Sequence, residues 1–353
     1  MDLSHLNVLD LSTVLAGPSV ATFFAELGAN VTKIEHPINK DVTRSWKIMS
    51  ENKKSKTSAY FSSVNFSKNY TSLDLKNIHD YKKLEQLLNN TDILISNFKK
   101  SSEKTLNLIP SNLQKKYPGL IHGRITGFGD ESDRIAYDLI IQAESGLMSI
   151  NGATQGPPTK LPVAFIDILA AHHLKEGVLL ALLEKEKTGK GKIVSVSLYD
   201  AAICSLANQA SNYLMLKKTP KRMGSLHPNI APYGEIFHTK DNIMLTFAIG
   251  SNKHFELLCN FLKTKNIEKD DKFDTNQKRV ENREELKIIL QQRIKNFNSN
   301  DVLKELKKMH VPVAEIKDIK QVFEQKEARK LIRHELINGE KTSRVTSIGF
   351  QSK

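Results

Sequence analysis

The chain has 353 residues, of which 39% are hydrophobic and 26% are charged, a balance typical of globular proteins. Its net charge is +13, but arginine is a minority of the basic residues and the lysines alternate with acids, as in EKEKTGKGK (184–192), which argues against a nucleic-acid-binding surface. No apolar run approaches the ~20 residues that span a bilayer, and the N-terminus lacks the features of a secretory signal. We therefore expect a cytoplasmic protein of about two domains, with no nucleic-acid or membrane partner.

The first half of the chain alternates short apolar runs with amphipathic segments. Strands are predicted at 6–11, 30–35, 71–75, 92–98 and 120–126, and helices at 17–27 and 78–90. Pro18 suits the first turn of the first helix, and Gly28 is placed to end it. This alternation predicts an α/β domain with a mostly parallel, Rossmann-like sheet covered by helices.

The middle of the chain continues the pattern. Residues 137–150 lead to a Gly/Pro-rich loop at 151–162 and then to a long helix that ends near residue 187. A turn at 188–192 precedes a strand at 192–198 and a helix at 199–216. We therefore assign residues 1–216 to one large domain.

The composition changes after residue 216. Residues 217–232 are basic, contain proline and lack periodicity, which is typical of a linker. Residues 234–248 then predict a hairpin that turns around 240–242, followed by helices at about 252–263, 282–297, 300–309 and 318–332. These elements predict a second, smaller α+β domain at 233–320.

Common cofactor and metal motifs are not evident. The first strand–helix–strand is similar to the start of a dinucleotide-binding fold, with Glu35 at the ribose position, but the turn STVLAGPS has one glycine and no G-x-G-x-x-G. His172 and His173 lack the spacing of a zinc site, and Cys204 and Cys259 lie far apart. There is no G-x-S-x-G of a serine hydrolase. We expect neither a tightly bound cofactor nor a metal.

One carboxylate interrupts an apolar stretch. PVAFIDILAAHH (162–173) is apolar up to its two histidines except at Asp167. Asp167 follows a proline-containing loop and precedes a helix, so one interpretation is a helix N-cap. The other is a nucleophile, because a desolvated carboxylate has a raised pKa and is more reactive. The two interpretations are compatible, and the local sequence leaves both open.

Several segments, in order, resemble family III CoA-transferases, which include formyl-CoA and carnitine CoA-transferases and the alpha-methylacyl-CoA racemases. They are NVLDLSTVLAGPSVATFFAELGANVTKIEHP (7–37), SLDLK (72–76), SNF (96–98), RITGFG (124–129), YDLIIQAESGLMSINGATQGPP (137–158), TGKGKIVSVSLYDA (188–201) and HPNIAPYGEIF (227–237). The resemblance covers about residues 1–320. It implies an interlocked homodimer, with residues 321–353 returning to the large domain.

The resemblance implies an activity as well. In the transferases of this family, an aspartate on the helix after the Gly/Pro loop is the nucleophile, and Asp167 is in that place. CoA would pass from an acyl-CoA to a free carboxylic acid through an aspartyl-CoA thioester, with CoA present only as part of the substrate. The alternative is a 2-methylacyl-CoA racemase or epimerase, but the racemases have Gly-His-Asp where this chain has Ala136, Tyr137 and Asp138, so the acid/base pair is incomplete. A non-catalytic CoA-binding protein is a third interpretation.

The resemblance finally implies which residues contact the substrate. Asp138 is expected to hold local structure, and Leu15 replaces the glutamine of formyl-CoA transferases, which argues against an oxalate/formate pair. Lys99 is a further candidate for the CoA phosphates. The substrate-contacting residues are expected to be Val14, Leu15, Ala16 and Gly17 in the thioester channel, Leu73, Asn97 and Phe98 on CoA, Lys104 and Arg134 on its phosphates, and Tyr137 beside the acyl group.

Overall fold

A computed structural model describes residues 2–264 and 266–351, which form two compact units. The first unit comprises the chain up to residue 148, residues 160–219 and the chain from 329 onward, and the second comprises 149–159 and 220–328. The sequence placed 149–159 in the large domain and ended the small one at 320, so these boundaries differ from the predicted ones. No helix of the described residues is long and apolar enough to cross a bilayer.

The first unit is built on a six-stranded sheet. Its strands are Asn7–Asp10 (β1), Asn30–Glu35 (β2), Asn69–Ser72 (β3), Ile93–Ser96 (β4), Ile121–Thr126 (β5) and Ile193–Ser197 (β6). Their order is β3-β2-β1-β4-β5-β6, and every neighbouring pair is parallel. This is the strand order of the Rossmann fold, so the predicted Rossmann-like sheet is confirmed.

Helices lie on both faces of that sheet. They are Ala16–Glu26 (α1), Ala59–Ser63 (α2), Ile78–Leu88 (α3), Lys100–Thr105 (α4), Pro110–Lys116 (α5), Asp138–Glu144 (α6), Leu147–Ile150 (α7), Phe165–Thr188 (α8), Leu198–Cys204 (α9) and Ala207–Leu216 (α10). Val8 and Ile95 pack with α1 and α8 on one face, whereas Leu9 and Leu94 pack with α3 and α5 on the other. Because neighbouring strand residues face opposite sides, the continuous apolar runs of β1 and β4 supply both cores.

Two glycines are required by this arrangement. Gly189 ends α8 with φ +70°, a left-handed conformation that glycine adopts at little cost. A Cβ on Gly17 would lie 2.3 Å from the Ser12 Cβ. Gly17 therefore lets the first turn of α1 approach the end of β1.

The second unit contains a three-stranded antiparallel sheet, β7-β8-β9. Its strands are Tyr233–His238 (β7), Met244–Ala248 (β8) and Val313–Glu315 (β9), and its helices are Asn252–Leu262 (α11), Asn276–Glu281 (α12), Arg283–Ile294 (α13), Ser299–Lys308 (α14), Ile319–Glu324 (α15) and Lys326–Arg329 (α16). The turn between β7 and β8 is closed by the Thr239 N–H, which donates to the Ile243 carbonyl at 3.1 Å. The hairpin predicted around 240–242 is confirmed.

Several predicted elements were wrong in extent. The helix predicted at 318–332 is two short helices, because Gln325 between them is extended, and the helix predicted at 199–216 is interrupted after Cys204. A C-terminal hairpin, Ile332–Ile337 (β10) and Glu340–Val345 (β11), was not predicted. Its turn is Asn338-Gly339, with φ of 52° and 80°, the dipeptide that favours a two-residue hairpin.

Candidate active site

A cavity of about 360 Å³ opens in the first unit where β1, β4 and β5 end. Its walls come from residues 13–16 after β1, residues 97–100 after β4 and the segment 124–137, together with Asp167 and Leu198. β1 and β4 are the adjacent strands at which the strand order reverses. In open parallel sheets this reversal leaves a crevice at the carboxyl ends of the strands, which is the usual place for a ligand.

Asp167 is the third residue of α8 and lines this cavity. The N-cap position belongs to Ala164, which makes no side-chain cap, so the N-cap interpretation of Asp167 was wrong. The cap comes from Asp138 instead, since its Oδ1 accepts hydrogen bonds from the Ile166 N–H at 2.7 Å and the Asp167 N–H at 3.4 Å. A carboxylate from α6 thus satisfies the first turn of α8 and leaves the Asp167 side chain uninvolved in capping.

The Asp167 residue is 8% exposed. Burial, and secondarily the charge of Asp138, raises the pKa of Asp167 to about 7. Within the described chain no donor bonds to its side-chain oxygens, so its anion lacks the hydrogen bonds that normally stabilise it. This is the environment expected of a carboxylate that attacks a substrate.

The loop between β1 and α1 carries Val14, Leu15 and Ala16 into the cavity. Val14 has φ +72°, which is strained for a β-branched residue. Asn97 holds the start of this loop, because its amide accepts from the Thr13 N–H at 3.0 Å and donates to the Thr13 carbonyl at 2.9 Å. Asn97 therefore positions the loop as well as bordering the cavity.

A buried ionic network also holds the loop between β1 and α1 in place. The Lys33 ammonium donates to the Ser12 carbonyl at 2.7 Å and lies 3.2 Å from Asp41, while the Lys68 ammonium bonds Asp10 at 2.8 Å. Burial acts to raise the pKa of Asp10, but Lys33 and Lys68 outweigh it and hold that pKa below its usual value. Asp10 in turn accepts from the Ser12 N–H at 3.0 Å, so the loop rests on paired charges that are costly to separate.

Four cations line one side of the cavity, and three of them are paired. Arg124 makes a buried pair with Glu103, Arg134 bonds Glu144 at 2.6 Å, and Lys100 pairs with Glu131. The fourth cation, Lys99, has no ion pair with any residue that the structure describes. Arg124 and Lys100 were not among the predicted residues. Arg124 lies just before the end of β5 and Lys100 just after the end of β4, and these positions were the available sequence signal.

The structure brings most, but not all, of the predicted site residues together. Gly17, Leu73 and Lys104 do not line the cavity: Gly17 packs against Ser12, Leu73 lies in the core against α3, and Lys104 is on an exposed part of α4. The predicted residues that do line it are Val14, Leu15, Ala16, Asn97, Phe98, Arg134, Tyr137 and Asp167.

Tyr137, where the racemases have histidine, is the N-cap residue of α6 and borders the cavity. It is about half exposed, at 52%. The side chain at this position of the cavity wall is therefore a phenol and not an imidazole. In the described part of the chain, no three histidine, cysteine or acidic side chains are arranged to hold a metal ion.

Comparison with known proteins adds independent findings. The sequence matches the family model described as CoA-transferase family III over residues 3–350. A succinate–glutarate CoA-transferase from Agrobacterium fabrum is 34% identical over 91% of this chain and 81% of its own length. The human succinyl-CoA:glutarate CoA-transferase is 32% identical over 91% of this chain and 73% of its own length. A crystal structure of a CaiB/BaiF family protein from Brucella suis is similar with a TM-score of 0.82 and 33% identity, over 98% of this chain and 91% of that one.

Proposed function

The chain belongs to CoA-transferase family III, and from this premise we propose that Asp167 is the nucleophile that carries CoA as an aspartyl thioester. The enzyme is an acyl-CoA:carboxylate CoA-transferase. The observation that supports the assignment to Asp167 is its buried carboxyl group, which borders the cavity and is not used for helix capping. Covalent catalysis by such a group divides one difficult exchange into easier steps.

The reaction proceeds through two kinds of intermediate. The Asp167 carboxylate attacks the thioester carbonyl and expels CoA thiolate, which gives a mixed anhydride. The thiolate then attacks the aspartyl carbonyl, which releases the first acid as its carboxylate and leaves CoA on Asp167. The incoming carboxylate attacks this thioester, and the released thiolate attacks the new acyl carbonyl, which regenerates Asp167.

Each step develops negative charge on a carbonyl oxygen and needs donors for it. The N–H groups of Leu15 and Ala16 have no partner in the described chain, and both residues line the cavity. They stand at the N-terminus of α1, where the helix dipole also favours negative charge. We assign the oxyanion contacts to these two N–H groups.

The remaining cavity residues divide between CoA and the acyl group. Lys99, Lys100 and Arg134 are placed to bind the CoA phosphates, since guanidinium and ammonium groups are the usual partners of phosphate. Leu15 and Tyr137 also line the cavity, and we assign the contacts with the acyl group to them. Apolar surroundings also exclude water, which would hydrolyse an anhydride.

The substrate class follows from the relatives. Both curated relatives are named for succinate or succinyl-CoA and for glutarate, and we extend this class, the short dicarboxylic acids, to this chain. The interlocked homodimer, the first unit as the CoA-binding domain and the cytoplasmic location stay predictions. A racemase is not favoured, because Tyr137 stands in place of the second acid/base group.

Mass spectrometry tests the proposal. We expect the full chain incubated with succinyl-CoA to carry a CoA adduct on the peptide that contains Asp167, and hydroxylamine to convert that residue into a hydroxamate. Asp167→Asn should carry neither, whereas Asp200→Asn, an exposed control on α9, should behave as the wild type does. Solvent deuterium at the alpha carbon without any adduct would instead indicate a racemase.

A further inference from the structure

A second cavity, of about 310 Å³, lies in the first unit between α1, α8 and the chain that follows β11. From α8 it is lined by Ile168, Ala171, His172 and Lys175, which recur at the spacing of a single helix face. From the N-terminal end of α1 it is lined by Leu15. This cavity therefore follows one side of α8 from the residue next to Asp167 down to Lys175.

Lys175 is the unusual member of this lining. It is only 8% exposed, yet among the described residues its ammonium forms no ion pair and donates no hydrogen bond. Its one specific contact is with the ring of Phe23, whose centroid is 5.3 Å from Nζ. Burial lowers the pKa of Lys175, and a buried ammonium without an anion is unfavourable. No carboxylate of the described residues lies close enough to this ammonium to form an ion pair.

Burial outweighs the effect of two nearby acids, Glu176 and Glu26, which act to raise the pKa of Lys175. Glu26 already accepts hydrogen bonds from Arg344 and from the backbone and hydroxyl of Ser347. Glu176 has an exposed side chain and pairs with His173. Both carboxylates are thus paired with other residues, and neither forms an ion pair with Lys175.

The cavity also offers hydroxyl donors. Thr22 and Ser63 give their protons to backbone carbonyls, but the hydroxyl protons of Ser19 and Thr346 have no acceptor in the described chain. A carboxylate accepts about four hydrogen bonds. The three N–H groups of the ammonium and the two free hydroxyls therefore supply enough donors for a single carboxylate group.

This cavity borders the first one. Leu15 lines both, and Ile168 follows Asp167 directly. Eight residues of helix separate Asp167 from Lys175, about 12 Å along the axis at 1.5 Å per residue. Both side chains lean toward the N-terminus, but that of Lys175 is the longer, so it covers part of this span and leaves the rest to the carbon chain of the acid.

We propose that the second cavity holds the distal carboxylate of a short dicarboxylic acid, bound by Lys175 while the other carboxyl group reacts at Asp167. This inference rests on the proposed transferase function, and it adds a residue that selects the substrate. A monocarboxylic acid of equal length places a methyl group beside the ammonium, and this leaves the charge unpaired.

Calorimetric titration of glutarate into the full chain tests the proposal. We expect the wild type to bind glutarate and Lys175→Met to bind it at least tenfold more weakly, whereas Lys187→Met, an exposed control on the same helix, leaves affinity unchanged. Pentanoate, with the same number of carbons and one carboxylate, should bind Lys175→Met at least as tightly as it binds the wild type, because the variant has no ammonium to leave unpaired. Lys175→Gln serves as the second variant should Lys175→Met fail to fold.

A transfer assay with succinyl-CoA separates this inference from the proposed function. Lys175→Met should raise KM for glutarate at least tenfold without raising KM for pentanoate. If the wild type transfers no CoA but binds glutarate through Lys175, the carboxylate site stands and the transferase proposal fails. If the wild type does not bind glutarate, or both Lys175 variants bind and use it as the wild type does, the carboxylate site is overturned while the assignment of Asp167 is unaffected.

Discussion

Replacing Asp167 by asparagine removes an ionisation that the folded protein opposes. The pKa of Asp167 rises from 3.8 to about 7, mainly because the group is buried. One pKa unit corresponds to about 1.4 kcal/mol, so ionising Asp167 destabilises the folded state by about 4 kcal/mol relative to the unfolded chain. The unfolded chain releases this proton near pH 4 and the folded protein only near pH 7. Between these values the folded state binds more protons, and stability falls as pH rises.

Urea unfolding of wild type and Asp167→Asn at pH 5, 6, 7 and 8 measures this difference. Asparagine has nearly the same shape and no charge, so the free energy of unfolding of the variant does not include the cost of ionising a buried carboxyl group. Only the part of the penalty that develops above pH 5 contributes, and we expect the stability of the variant relative to the wild type to rise by about 3 kcal/mol between pH 5 and pH 8. The same variant should show no CoA adduct.

Asp241→Asn is the matched control. Hydrogen bonds from Thr239 and Ser299 lower the pKa of Asp241 to about 2, so its contribution to stability is complete above about pH 4 and is lost only as pH falls toward 2. Its difference from the wild type should stay constant from pH 5 to pH 8. If Asp167→Asn gave an equally constant difference, the Asp167 carboxyl would not be desolvated, and the argument from its burial would be refuted.

Two further substitutions test the surroundings of the site. Asp138→Asn keeps an oxygen that can cap α8 but removes the charge beside Asp167, so the pKa of Asp167 should fall by on the order of one unit. The acidic limb of the pH profile of kcat/KM should then move to lower pH. An acidic limb at the wild-type pH would contradict this. Lys68→Met leaves the buried Asp10 carboxylate without its closest cation, and urea unfolding should show a loss of about 3–5 kcal/mol. The exposed control Lys53→Met should lose almost nothing, and a loss below about 1 kcal/mol for Lys68→Met would show that Asp10 does not depend on Lys68.

Much of the first unit could be predicted from local pattern. The strand at 30–35 was predicted to the residue, and β1, β4, β5 and β6 lie within the predicted runs. β4 is buried throughout and is a continuous apolar segment up to its last residue, whereas β6 alternates in polarity and is partly exposed. The C-terminal hairpin had a local signal too. Asn338-Gly339 is a strong hairpin dipeptide, but the helical interpretation of the preceding segment obscured it.

The sequence by itself determined that the chain has a Rossmann-like sheet and that Asp167 is a charge within an apolar helix start. Only the tertiary structure decided that the Asp167 carboxyl group borders a cavity and takes no part in helix capping. Asp138, 29 positions earlier, caps the helix in its place, and Lys68 reaches Asp10 across 58 positions. Periodicity reports how each element is buried, whereas pairings of this kind depend on which elements meet. For the same reason nothing in the sequence singled out Lys175, whose lack of an ion pair among the described residues is seen only in the structure.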